Sequence, residues 1–71
     1  MARYIVNKNA QSTGEHEVHN VNTCQYLPNV ENQISLGEHA TCQSAVQEAY
    51  RKFPGYKFDG CYYCSLSCHT R

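Results

Sequence analysis

Two cysteines separated by two residues, Cys61 and Cys64, are the first candidates for chemistry in this chain. A Cys-x-x-Cys turn lets two thiolates meet one zinc ion at about 2.3 Å, with backbone N–H groups directed at the sulfurs. Thioredoxin-like enzymes use the same spacing, but their motif opens a helix directly after a central strand. Here the pair follows the only segment with a clear helical pattern. The sequence therefore favours a metal-binding turn over a redox pair.

A tetrahedral structural zinc site needs two more ligands. A His-x4-Cys motif stands where a predicted strand runs into a loop, which is a natural place for a site closed by a distant turn. Cys68 and His69 are the competitors, although adjacent side chains diverge and rarely bind one ion together. Four ligands from one short segment would also leave the N-terminal half of the chain unattached. The predicted zinc ligands are His19, Cys24, Cys61 and Cys64; a set that includes Cys68 or His69, and a chain without metal, stay as alternatives.

The other candidate residues have simpler interpretations. Cys42 falls on the apolar face of the predicted helix and is expected to be a small core residue with a masked thiol. Cys68, near a free end, is then expected to be the thiol most accessible to reagents. His16 and His39 have no partner at ligand spacing, which predicts surface or partly buried positions. Five tyrosines could stack on nucleic-acid bases, but in so small a core they are expected to pack around the Cys-x-x-Cys turn: Tyr26, Tyr50, Tyr56, Tyr62 and Tyr63.

Length and composition limit what holds the chain together. Seventy-one residues form one domain, residues 1–71, whose core supplies only about 3–5 kcal/mol. There is no Trp and there are two Phe, so a disulfide or a metal is expected as an additional fastening. Five cysteines would leave one unpaired in an oxidising compartment, whereas four histidines suit metal binding. We therefore expect a cytoplasmic protein that binds Zn²⁺.

Charge and hydropathy limit the classes of binding partner to expect. The formal net charge is zero, so no overall field attracts the protein to nucleic acid or to an anionic membrane. The N-terminus lacks the basic and apolar regions of a signal peptide, and no apolar run approaches the roughly 20 residues that cross a bilayer. We expect a protein or nucleic-acid partner, no membrane partner and no small-molecule substrate.

Three short segments have strand chemistry. Residues 4–8 are rich in β-branched and aromatic types, and a turn over residues 10–14 leads to a second strand over residues 16–19. Side chains alternate along a strand, so Glu17 and His19 share one face. The two histidines of His-Glu-Val-His therefore cannot both reach one ion, and their spacing is not that of a helical zinc-protease motif. A polar loop over residues 20–32 precedes a third strand over residues 33–37.

One segment has the period of an amphipathic helix. Thr41 is a predicted N-cap, and the Pro54-Gly55 pair is a predicted stop. Between them, apolar residues recur at helical spacing along one face. These residues are Cys42, Ala45, Val46, Ala49, Tyr50 and Phe53. The predicted fold class is α+β: a three-stranded antiparallel sheet with one main helix, held together by the zinc site.

Three stretches resemble the Ada metal-binding domain-like family of small zinc domains. They are residues 19–27 (HNVNTCQYL), 41–49 (TCQSAVQEA) and 55–64 (GYKFDGCYYC). The chain departs from the family in a longer spacer between Gly-Tyr and Cys-x-x-Cys and in its Cys68-His69 tail. The resemblance implies a zinc domain related to a DNA-repair module, in which four cysteines bind the metal and the first accepts a methyl group from a DNA phosphotriester.

The methyl-accepting position of that family aligns with His19. A neutral imidazole binds zinc well but lacks the soft anionic sulfur that makes the acceptor nucleophilic. A closed four-ligand site also has no open position for substrate or water. We therefore predict a non-catalytic zinc-binding module that binds protein or nucleic acid. The alternatives are a thiolate-based enzyme, for alkyl transfer or thiol redox exchange, and an accessory protein whose surface alone matters.

Overall fold

The computed structural model describes residues 1–70, which form a sheet covered by one helix. The elements are β1 (Ala2–Asn7), β2 (Glu15–Asn20), β3 (Gln33–His39), α1 (Cys42–Lys52) and β4 (Lys57–Gly60), with short 3₁₀ helices at Val30–Asn32 and Leu66–Cys68. The strand order is β3-β1-β2-β4. Strand β1 pairs antiparallel with β2 and β3, whereas β4 runs parallel to β2. The α+β class is confirmed, but a sheet of three antiparallel strands is wrong, because the fourth strand makes it mixed.

Strand β4 has little strand signal of its own. It is four residues long and contains Asp59 and Gly60, types that are depleted in strands. Its conformation comes from tertiary contacts, since Phe58 and Asp59 are buried and the strand pairs with β2 along its whole length. The N–H of Cys61 continues this pairing by donating to the carbonyl of Val18 at 2.9 Å. Strand β4 thus brings the Cys-x-x-Cys turn beside the end of β2.

Helix α1 begins and ends where the sequence predicts. The hydroxyl of Thr41 accepts a hydrogen bond from the Ser44 N–H at 3.3 Å, which satisfies one free donor of the first turn. After Lys52 the chain leaves the helix, and Gly55 takes a left-handed φ of +97° that a residue with a Cβ rarely adopts. Both helix signals are confirmed.

The core lies between α1 and one face of the sheet. The helix contributes small side chains, so its backbone approaches the sheet closely, and the strands contribute the larger ones. The buried cluster consists of Tyr4, Val6, Val18, Leu36, Cys42, Ala45, Ala49 and Phe58. Its modest size agrees with the expectation that this chain needs an additional fastening.

A disulfide joins Cys42 to Cys68, with a Cα–Cα distance of 6.2 Å. It links the start of α1 to the second 3₁₀ helix. Cys42 is a buried core residue, as predicted. The predictions of a free Cys42 thiol masked only by packing, and of Cys68 as the most accessible thiol, are wrong, because the two sulfurs are bonded to each other. A disulfide and a metal site are therefore not mutually exclusive here, because two cysteines form the bond and Cys24, Cys61 and Cys64 remain as thiols.

Within residues 1–70, no helix has both the length and the apolar character needed to cross a membrane.

Candidate metal centre

The four predicted zinc ligands meet at one end of the sheet. His19 lies near the end of β2, Cys24 lies in the loop that follows, and Cys61 and Cys64 lie in the turn after β4. Each residue offers one ligand atom, and these four atoms all lie within 4.8 Å of one another. The cluster has the donor set and the dimensions to hold a metal ion. The identity of that ion, and the role of each residue as its ligand, remain predictions.

The distances in the cluster fit a tetrahedral zinc site. The Cys24 Sγ lies 3.9 Å from the Cys61 Sγ and 3.4 Å from the His19 Nδ1, and the Cys64 Sγ lies 3.8 Å from the same nitrogen. With zinc–sulfur bonds of about 2.3 Å and zinc–nitrogen bonds of about 2.0–2.1 Å, tetrahedral angles separate two sulfurs by about 3.8 Å and sulfur from nitrogen by about 3.6 Å. The cluster therefore needs only small adjustments to receive the ion.

Backbone N–H groups point at each of the three sulfurs. The Asn20 N–H donates to the Cys64 Sγ at 3.3 Å, and the Tyr26 N–H donates to the Cys24 Sγ at 3.4 Å. The Cys61 sulfur accepts from the N–H groups of Tyr63 and Cys64. Such donors stabilise thiolates over thiols and make the sulfurs less nucleophilic. They are the contacts expected of a structural site.

Local turns produce this arrangement. The carbonyl of Asn20, at the end of β2, accepts from the N–H groups of Thr23 at 3.3 Å and Cys24 at 3.0 Å, which turns the chain back toward His19. In the second half, the N–H of Ser65 donates to the carbonyl of Cys61 at 2.8 Å and closes the Cys-x-x-Cys turn. Each pair of ligands is thus positioned by its own short turn.

Burial shifts the pKa values of the cluster so that the neutral forms are favoured, and a bound cation would oppose this effect on the thiols. Burial, followed by the contacts with neighbouring sulfurs, raises the pKa of Cys64 to about 12. Burial is also the main cause that raises the pKa of Cys61 and lowers the pKa of His19. Without a cation, the buried groups favour neutral thiols and a neutral imidazole. A bound dication supplies the positive charge that thiolates need at this depth.

The second nitrogen of His19 has no hydrogen bond among the described residues. This Nε2 is buried, and the Oε1 of Glu17 lies 3.7 Å from it. When Nδ1 binds a metal, Nε2 carries the ring proton, and metal-binding histidines usually donate that proton to a carboxylate or a carbonyl. Glu17 is therefore the residue that would orient His19. This role of Glu17 was not predicted, although strand alternation, which places Glu17 and His19 on one face, is a sequence signal for it.

The competing tail residues lie outside the cluster. Cys68 is committed to its disulfide, and the ring of His69 faces other groups: its Nδ1 lies 3.0 Å from the carbonyl of Gly60 and 3.4 Å from the Oδ2 of Asp59. His16 and His39 also lie elsewhere. Their Nδ1 atoms lie 2.9 Å from the carbonyl of Asn7 and 2.8 Å from the hydroxyl of Ser44, respectively, so both histidines serve local packing.

The five tyrosines were predicted to pack around the Cys-x-x-Cys turn as part of the core, and none of them is buried there. Tyr26, Tyr62 and Tyr63 are 58%, 56% and 66% exposed, and Tyr50 and Tyr56 are also exposed. The three tyrosines near the cysteines contact one another at the surface instead. Tyrosine has an apolar ring and a polar hydroxyl, so it occurs both in cores and at surfaces, and the residue type alone does not predict which.

Comparisons of the chain with family models, with curated proteins and with solved structures found no match.

Proposed function

We propose that this chain is a non-catalytic domain that binds one structural zinc ion through His19, Cys24, Cys61 and Cys64 and acts as a binding module for another macromolecule. The observation that carries the proposal is that three separations among the sulfurs and the imidazole nitrogen match edges of a zinc tetrahedron, and that all four atoms lie within 4.8 Å of one another. A tetrahedral set of sulfur and nitrogen donors is the set that structural zinc prefers over magnesium, calcium or manganese.

A structural role follows from the number of donors. Three thiolates and one imidazole fill all four positions, so none is left for water or a substrate. When bound, zinc supplies two positive charges against three thiolates and, in comparable sites, on the order of 10 kcal/mol of folding free energy. The site joins the two halves of the chain, because two of its ligands, Cys24 and Cys61, are 37 positions apart in the sequence.

The rival proposal, a thiolate-based enzyme, has less support. The Ada-like resemblance puts an imidazole at the methyl-accepting position, and the remaining sulfurs accept backbone hydrogen bonds. Redox and nucleophilic cysteines have lowered pKa values, whereas burial raises the pKa of both Cys61 and Cys64. Incubation with a methylating agent, or with methylphosphotriester DNA, followed by mass spectrometry should add no methyl group to Cys24, Cys61 or Cys64. Prompt addition there would favour the enzyme.

The metal site is tested by composition and by ligand replacement. Native mass spectrometry and elemental analysis should find one zinc per chain, and Co²⁺ substitution should give the intense visible absorption of a tetrahedral sulfur-rich site. His19→Ala should lose stoichiometric metal, whereas the matched control His16→Ala should retain it. A metal-free protein with a native, dispersed NMR spectrum, or a His19→Ala protein with a full equivalent of zinc, would refute the proposal.

A cytoplasmic location belongs to the same proposal and has a direct test. A reducing compartment keeps most thiols unpaired, so the Cys42–Cys68 bond should be open in protein collected from cells with its thiols blocked at lysis. Mass spectrometry of the blocked protein would then find five labelled cysteines. Three labels would indicate an oxidising compartment and contradict the cytoplasmic location.

A further inference from the structure

Three exposed aromatic rings form a continuous row beside the candidate metal centre. The ring centroids of Tyr26 and Tyr63 are 4.3 Å apart, and those of Tyr63 and Tyr62 are 5.3 Å apart. More than half of each side chain is accessible to solvent. We call Tyr26, Tyr63 and Tyr62 the tyrosine row. Large aromatic side chains are costly to leave in water, so a contiguous exposed group of them marks an interaction surface.

The backbone that carries the row is restrained by the metal centre. The N–H of Tyr26 donates to the sulfur of Cys24, and Tyr62 and Tyr63 are the two residues between Cys61 and Cys64. The row therefore includes rings from both halves of the cluster. Rings positioned before binding lose little conformational freedom when a partner arrives, which favours affinity.

The segments that carry the row contain no charged side chain unless His69 is protonated. Residues 20–29 (NVNTCQYLPN) and 60–70 (GCYYCSLSCHT) lack Asp, Glu, Lys and Arg. Nucleic-acid affinity depends mainly on cationic contacts with phosphates, even where bases stack on aromatic rings. With zinc bound, the three thiolates still leave a net negative charge beside the row, which also disfavours phosphate. Tyrosine with Ser, Thr and Asn, and without charges, is instead the composition of protein-binding surfaces.

The shape of the row favours an extended segment rather than a broad surface. Tyr62 stands edge-on to Tyr63, with 89° between the ring planes, so the row presents a ring face beside a ring edge. A polyproline II helix rises about 3.1 Å per residue with three residues per turn, so one turn of about 9 Å covers the row. Such a helix carries flat apolar rings and leaves its carbonyls free, which matches aromatic faces with hydroxyl donors at their edges.

We propose that the tyrosine row binds an uncharged, proline-containing segment of a partner protein in the polyproline II conformation. This inference rests on the proposed function, because the zinc centre restrains the rings, and it specifies the class of macromolecule bound. Binding would use proline rings against the tyrosine faces and tyrosine hydroxyls as donors to peptide carbonyls.

The test is an NMR titration of ¹⁵N-labelled, zinc-loaded protein with two probes, decaproline and the oligonucleotide dT10. Decaproline should cause saturable shifts confined to residues 24–27 and 61–66. Tyr63→Ser should weaken binding at least tenfold, and Tyr26→Ser on the other segment should do the same. The matched control is Tyr56→Ser, since Tyr56 is 57% exposed but contacts His16 and Phe53 instead of the row. This control should change the affinity less than twofold.

Three outcomes would overturn the inference: no saturable shifts with decaproline, equal effects of Tyr63→Ser and Tyr56→Ser, or dT10 binding at the row with a steep salt dependence. Zinc content is measured on each sample before titration. A protein with one zinc and no response to decaproline refutes the inference but not the proposed zinc site. A protein without zinc refutes the zinc site, and its zinc content shows this without either probe.

Discussion

Replacing Cys68 with Ser removes the Cys42–Cys68 bond with little other change. Cys42 keeps its buried position at the start of α1, and serine has nearly the size of the cysteine that it replaces. The matched control is Ser67→Ala in the same 3₁₀ helix. The Ser67 hydroxyl lies 3.2 Å from the Cys42 Sγ, so this control removes a neighbouring contact and keeps the covalent bond.

The expected cost follows from the loop that the bond closes. The two cysteines are 26 positions apart, and a loop of this length restricts the unfolded chain by about 3.5 kcal/mol in the chain-entropy description. That is comparable to the whole core contribution of about 3–5 kcal/mol in so short a chain. Zinc binding, on the order of 10 kcal/mol, is larger than either. The zinc-loaded variant should therefore remain folded, and the metal-free variant should unfold.

The assay uses parent protein oxidised in vitro, with the Cys42–Cys68 bond verified by mass spectrometry. Urea unfolding is followed by circular dichroism at one buffered free-zinc concentration, so that the metal contribution is the same for each protein. Cys68→Ser should lose about 3.5 kcal/mol, which corresponds to a fall in Tm of roughly 14–28 °C. Ser67→Ala should lose less than about 1 kcal/mol. A Cys68→Ser protein as stable as the parent would refute the constraint by the disulfide. Loss of zinc from this variant would instead make Cys68 a metal ligand.

Three further changes test the surroundings of the metal centre. Gly60→Ala should destabilise the domain by about 1–3 kcal/mol in urea unfolding, because a Cβ there would meet the carbonyl oxygen of Ser65 at 2.5 Å; unchanged stability would contradict that close approach. Glu17→Gln should weaken zinc binding about tenfold in chelator competition, since the amide is a poorer acceptor for the ring proton of His19; equal affinity would exclude its orienting role. Zinc affinity should rise with pH. The pKa of Cys64 is raised to about 12, so its proton must leave when zinc binds. The pKa of His19 is lowered, so its imidazole is already neutral near pH 7 and releases no proton. Release of zinc at falling pH is followed with a colorimetric indicator, and pH-independent affinity would contradict thiolate ligation.

The helix and the assembly of the four candidate ligands were predictable because their signals are local. Thr41 and the Pro54-Gly55 pair bound a segment whose apolar residues repeat at helical spacing. The ligands come as two short motifs, each closed by its own turn, and zinc chemistry requires that two such motifs meet.

The features that escaped prediction depend on contacts between distant residues. Strand β4 is too short and too polar to indicate a strand, and it takes its conformation from β2. The Cys42–Cys68 pairing cannot be read from spacing, because disulfide connectivity depends on the finished fold. Exposure of the tyrosines depends on which side of each turn they occupy, and the side cannot be predicted from the residue type.

The parallel pairing of β4 with β2 has a consequence for the order of events during synthesis. A ribosome adds about 5–20 residues per second, so Cys61 follows Cys24 by roughly 2–7 s. During that interval β1 and β2 can form their hairpin, but the other edge of β2 lacks its partner and only two metal ligands have emerged. The open edge is then available for pairing with another chain. Capture of zinc would coincide with arrival of β4, and a shortage of the metal would prolong the interval in which aggregation competes with folding.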